Sequence, residues 1–134
     1  MNRRVSYQIF LGHYLIIWAN LNYKEEILVT GLQIKKEVHE STTTLYLHGI
    51  LDISTTGSID PFLEDMTMVK LLVIDFSGLD FIDSTGIGSI MNAIYLSQEK
   101  DFTLRLQGVD ELTHQVFEMV GLYQILEALN GEVV

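Results

Sequence analysis

A single α/β domain, a small mixed β-sheet with helices packed on it in the order ββαβαβα, is the fold class that this sequence predicts. Three observations carry it. The run Leu71–Phe76 is apolar at five of six positions, too continuous for a half-exposed strand and too short for a helix, which fits a strand covered on both faces. Apolar residues recur at Ile87, Ile90, Met91 and Ile94, the spacing of one buried helical stripe. Phe102, Leu104 and Leu106 then alternate with Thr103, Arg105 and Gln107, and this strand completes a βαβ unit whose strands should run parallel.

In chain order, regular patterning begins at Leu32. Leu32, Ile34, Lys36 and Val38 alternate with Gln33, Lys35 and Glu37, and after the polar turn His39–Thr42 a second alternation runs through Thr43, Leu45, Leu47 and Gly49. A β-hairpin follows from the two periods and the turn between them. Residues 53–58 lead to a short helix around Ile59–Met66, with Pro61 at its start and Asp60 able to cap it. Met66 and Met68 read as core or gap-filling side chains. Ser77-Gly78 ends the strand at Leu71, and a short acidic loop leads into the helix that runs from Thr85 to near Lys100. After the strand at Phe102, Asp110 caps a helix with Leu112, Val116, Met119 and Val120 on one face, and Gly121 stops it. The tail Leu122–Leu129 fits a last strand or a helical turn equally well.

Composition sets bounds. The chain has 134 residues with 48% hydrophobic content, enough for one compact core. It contains no cysteine, which removes disulfides, thiolate metal sites and cysteine nucleophiles together. The net charge is −10, with +1 on residues 1–31 and −11 on residues 32–134. So acidic a domain repels phosphate backbones and anionic membranes, which argues against direct nucleic-acid binding.

Residues 1–31 fit the domain pattern least. The apolar and aromatic run Tyr7–Trp18 behind Arg3 and Arg4 is too short for a membrane span, which needs ~20 mostly apolar residues, and Trp18-Ala19-Asn20 makes a poor signal-cleavage site. The preferred reading is an N-terminal extension ahead of a domain at 32–134, one that a start codon placed too far upstream would produce. An intact mass of the native protein beginning at Met1 would remove the start-codon version.

The chemistry concentrates at Asp83-Ser84-Thr85-Gly86, where strand gives way to helix. Ser84 lies at or next to the helix N-cap, so its hydroxyl has two possible tasks. It can cap the first turn, a contribution of ~1 kcal/mol, or accept a phosphate that the free N–H groups and positive pole of the helix would hold. Gly86 and Gly88 let the first turn pack closely or let another protein approach.

The stretch from Leu71 to Gly88 resembles the signature of the STAS domain, the module of anti-sigma-factor antagonists and of sulphate-transporter tails: an apolar strand ending in Asp75, then Phe81, Asp83, Ser84, Gly86 and Gly88. Upstream, Gly49-Ile50-Leu51-Asp52 and the polar run after it are similar to a second element of that family. The resemblance implies the same α/β architecture and a cytoplasmic, non-enzymatic role without a cofactor. It further implies that Ser84 is phosphorylated by an anti-sigma factor that is itself a serine kinase and restored by a metal-dependent phosphatase. Asp52, Asp83, Ser84, Thr85, Gly86 and Gly88 would then contact the partner, the unphosphorylated form binding the kinase and releasing a sigma factor. The alternative is a STAS subunit of a larger assembly, either a stress-signalling scaffold or the partner of a lipid transporter.

Enzymatic readings fit less well. Ile82-Asp83-Ser84-Thr85-Gly86 partly matches a nucleophile elbow, with His114 and Asp101 or Asp110 as candidate relay, yet Ile82 stands where that turn requires glycine. Asp83 lacks the paired carboxylate of an aspartic protease. No Walker loop is present, and His13, His39, His48 and His114 lack helical metal-site spacing.

Overall fold

The computed structural model describes residues 23–29 and 31–134, so the readings placed on residues 1–22 lie outside the described residues. Six strands form one sheet in chain order: β1 (Tyr23–Val29), β2 (Leu32–His39), β3 (Thr42–Leu51), β4 (Leu71–Ile82), β5 (Thr103–Gln107) and β6 (Glu132–Val133). The first three pair antiparallel, whereas β3 to β6 are parallel neighbours. A 3₁₀ turn (Thr56–Ser58) and α1 (Asp60–Glu64) join β3 to β4, α2 (Ser84–Glu99) joins β4 to β5, and α3 (Glu111–Met119) and α4 (Leu122–Ala128) join β5 to β6. The ββαβαβα order therefore holds from β2 to α3, and the tail resolves as helix α4 followed by the short strand β6.

Alternating burial along β2, β3 and β5 turns one sheet face to the core. In β4 the alternation gives way to three consecutive buried residues, Leu72, Val73 and Ile74, in keeping with the apolar run there. The core joins Ile34, Leu45, Leu47, Ile74 and Leu104 from the sheet to Phe62, Ile90, Ile94, Phe117 and Leu126 from the helices.

Four local readings change. The sheet begins with β1, inside the stretch whose sequence shows least pattern, and β1 takes its register from β2, with Ile27 opposite Ile34. Strand β4 runs on past Ser77-Gly78 to Ile82, because β3 continues beside it and supplies a parallel ladder as far as Leu51↔Ile82. Two register shifts absorb the extra β4 residues, and the His48 ring lies on Gly78, where a Cβ would come within 2.3 Å of Cδ2. In α1 the cap is Ile59, without a side-chain bond, and Asp60 lies inside the helix.

The fourth change concerns α3. Its expected apolar face is turned outward, with Leu112 71%, Met119 80% and Val120 45% exposed. Phe117 takes the buried position instead, edge-on to Phe76 at 5.7 Å and to Tyr123 at 5.8 Å. Two aromatic contacts from separate elements outweigh the neater stripe. Of the two methionines, Met66 is buried and Met68 is exposed at positive φ.

Candidate functional site

The parallel strands β3 and β4 end together, and the candidate site is built on their ends. Asp83 N–H donates to the Leu51 carbonyl at 3.2 Å, so the chain is still tied to β3 as it turns into α2. Asp83, with extended φ and ψ, is the N-cap: its carboxylate accepts from Gly86 N–H at 2.9 Å, and its carbonyl accepts the first helical bond from Ile87. Ser84 is thus the first helical residue and not the cap. Its side chain is exposed, and among the described residues no hydrogen bond engages its hydroxyl. Truncating the cap in Asp83→Ala should lower unfolding free energy by about 1 kcal/mol, with Asp83→Asn near wild type in urea denaturation.

Gly86 is buried because the first turn of α2 lies directly on β3: a Cβ there would meet the Leu51 carbonyl oxygen at 2.4 Å and Ile82 Cγ1 at 2.8 Å. Gly88, further along the helix, has nothing within 4 Å of its Cβ position and is exposed, as are Ser84 and Thr85. The structure therefore separates the two glycines, one for packing and one for an open surface.

Asp52 follows the last paired residue of β3 as Asp83 follows that of β4, so the two carboxylates stand at neighbouring strand ends. The Asp52 carboxylate accepts from Ser54 Oγ at 2.7 Å and Ser54 N–H at 2.9 Å, and these bonds hold it below the usual carboxylate range. Thr55, buried, donates to the Ile50 carbonyl at 2.8 Å, and the Thr56 and Ser89 hydroxyls bond one another, which ties this loop to the second turn of α2. The site residues Asp52, Asp83, Ser84, Thr85, Gly86 and Gly88 thus gather at one end of the sheet.

Sequence reasoning missed the apolar members of this surface. Ile50 and Phe81 are register partners, 38% and 54% exposed, and Ile53 in the following loop is 75% exposed. The signal was Phe81 itself, an aromatic residue set between Asp80 and Asp83.

Asp75 lies further down β4. Burial raises its proton affinity, but hydrogen bonds from Gln107 Nε2 and Ser77 N–H, both at 2.8 Å, with the nearby His48, outweigh burial and bring it below the usual range. A depressed carboxyl adds stability that is complete above its unfolded value and lost as pH falls through the folded one. The loss attributable to Asp75 therefore falls below about pH 4. Asp75→Asn, which can keep both bonds if Gln107 turns its amide over, should flatten the fall in Tm below that pH, measured by thermal melts from pH 3 to 7.

His114 Nδ1 is 2.8 Å from the Tyr123 hydroxyl, and its Nε2 is 3.9 Å from Glu118, so its described contacts lie on α3 and α4. Asp110 caps α3 through Thr113 N–H at 2.8 Å. Neither residue has a described bond to Ser84. Among the described residues no group of three or more His, Cys, Asp or Glu side chains is placed to hold a metal ion, and no helix is long and apolar enough to cross a membrane.

Fold and site together define a one-sheet α/β domain that displays a serine at the N-terminus of a helix between parallel strands. The STAS domain family model matches residues 33–132, and the chain belongs to that family. It is related to anti-sigma-factor antagonists: it is 27% identical over 106 residues to the anti-sigma F factor antagonist of Paenibacillus polymyxa, covering 77% of this chain and 91% of that one. Among solved structures, a putative anti-sigma factor antagonist from Thermotoga maritima superposes with a TM-score of 0.63 at 15% identity, covering 74% of this chain and 84% of that one. A sulfate transporter family protein from Wolinella succinogenes gives 0.62 at 14% identity, with 71% and 79% covered. At such identities the two structures share the fold.

Proposed function

We propose that the chain is a cytoplasmic anti-sigma-factor antagonist, a binding switch whose unphosphorylated form captures an anti-sigma factor with serine kinase activity and so frees a sigma factor. Residues 32–134 carry the switch in this reading, and β1 (Tyr23–Val29) of the preceding stretch adds the outer strand to their sheet. The observation that carries the reading is the exposed, unengaged hydroxyl of Ser84 at the tip of α2, its capping task taken over by Asp83. Gly88 leaves open space one turn away, so a kinase can reach that hydroxyl.

Phosphorylation would add about 1.5 to 2 negative charges at this point. The N–H groups of the first turn favour the phosphate, while Asp83 and Asp52 make the surface more repellent to an acidic partner. A metal-dependent phosphatase acting on phosphoserine reverses the switch. The protein needs no cofactor and catalyses no reaction itself.

The test is to incubate the purified chain with ATP and each serine kinase of the anti-sigma class from the same organism. Phosphate on Ser84, absent from Ser84→Ala, with loss of kinase binding supports the switch. Stable large assemblies that form regardless of Ser84→Asp would replace it with a STAS subunit of a scaffold or transporter.

A further inference from the structure

We propose that Thr56 and Ser89 are positioning residues for the phosphorylation of Ser84: their bonded hydroxyls clamp the loop carrying Asp52 to α2, so that the kinase meets Asp52 and Ser84 at one fixed spacing. This rests on the switch reading above, and neither of the two side chains is among the partner contacts named there. Residues 52–58 close on themselves. Asp52 N–H donates to Thr55 Oγ1 at 2.9 Å, and the Asp52 carbonyl accepts from Thr55 and Thr56 N–H at 3.0 and 2.8 Å. Ser54 Oγ donates to the Asp52 carboxylate and Ser58 Oγ to the Thr55 carbonyl, both at 2.7 Å. Such local bonds shape the loop but leave its place beside the helix open. Thr55 pins it to β3 through the Ile50 carbonyl. Among the described residues, the loop's one side-chain hydrogen bond to α2 is that between Thr56 and Ser89.

A second tie lies at the near end of the loop, where Asp83 N–H bonds the Leu51 carbonyl at 3.2 Å. The two ties bracket the site. Asp52 stands between Leu51 and Thr56 on one segment, and Ser84 between Asp83 and Ser89 on the other. Leu51 and Ile59, before and after the loop, are buried in the core, so the loop is anchored at both ends and Thr56 sets its middle against the helix. A kinase that reads Asp52 and Ser84 together therefore finds them already placed, and less freedom is lost on binding. Neither hydroxyl of the clamp has a described bond to Ser84, so the clamp has no part in phosphoryl transfer itself. It acts on KM and leaves kcat alone.

The test is steady-state phosphorylation of the full chain by the kinase identified above, at saturating ATP, with thermal melts of each sample. The samples are wild type, Thr56→Val, Ser89→Ala, the double variant and Thr56→Ser. Thr56→Val and Ser89→Ala are each expected to raise KM about three- to tenfold at unchanged kcat. The double variant should raise it no further, because all three lose the same bond. Thr56→Ser, which keeps the hydroxyl, should return KM to near wild type. Stability should follow a different order. Each single variant leaves one half-buried hydroxyl unpaired and melts lower, whereas the double variant, with neither hydroxyl, recovers part of the loss. A purely structural role would make KM follow Tm, so a double variant that regains both overturns the proposal. KM unchanged in every variant, or a fall in kcat alone, also overturns it. So do KM effects that add in the double variant, since each hydroxyl would then be a direct contact. Should a single variant fail to fold, the double variant and Thr56→Ser still decide. If the kinase leaves wild-type Ser84 unmodified, the switch reading fails and the proposal with it.

Discussion

Gly86→Ala is expected to destabilise the fold by roughly 1–3 kcal/mol, the range for adding a methyl group where none fits, whereas Gly88→Ala should stabilise it by about 0.5–1 kcal/mol. Both glycines lie in the first two turns of one helix, so propensity favours alanine at each. What differs is the surroundings. At position 86 the new Cβ would stand 2.4 Å from the Leu51 carbonyl oxygen, a backbone atom that no rotamer change can move. The helix must lift from β3, which strains the Asp83 N–H bond to the same carbonyl, 3.2 Å long. At position 88 the methyl group would enter open space. Urea denaturation of the two variants measures both signs, and equal effects would refute the close approach of α2 to β3. On the switch reading, the stabilised Gly88→Ala protein should nonetheless bind its kinase more weakly, since the methyl group occupies the surface beside Ser84.

Ser84→Asp is expected to reduce affinity for the kinase at least about 100-fold, an effect of the size that like-charge juxtaposition produces across interfaces. Phosphoserine, with its larger charge, should reduce it further. Stability should move the other way. An added anion at the first turn of α2 interacts favourably with the helix dipole, by about 0.3–1 kcal/mol, so Tm should hold or rise while binding falls. High salt should restore part of the lost affinity. Calorimetry at two ionic strengths, with melts on the same samples, distinguishes this outcome from unfolding. An unchanged affinity would refute control by charge at this position.

How far the chain was legible depended on whether local pattern and tertiary surroundings agreed. The β2–β3 hairpin, α2 and β5 each carry a period that matches the face they bury, and the unbroken apolar run of β4 matches its three consecutive buried residues. In α3 the two conflict: Leu112, Val116, Met119 and Val120 form a regular stripe, but Phe76 and Tyr123 provide the aromatic setting that Phe117 fills. Sequence could not show that setting, because it comes from two other elements. Ser77-Gly78 reads as a strand end because both residues favour turns, yet the neighbouring β3 carries the chain on. At the site, Asp83 and Ser84 are equally good caps by residue type. Only the approach to Leu51 decides that Asp83 bonds Gly86 and leaves the serine outside.

Every strand of this sheet lies beside the strand before it in the chain. A growing polypeptide therefore never has to wait for a distant segment before its newest strand finds an edge to join. Assembly can proceed outward from the β2–β3 hairpin as synthesis continues, each helical crossover closing onto the strand just formed. The last piece to dock is β6, two residues joined to β5 and braced by Arg105 and Glu132, so fraying at the C-terminal margin would leave the Ser84 end of the sheet undisturbed.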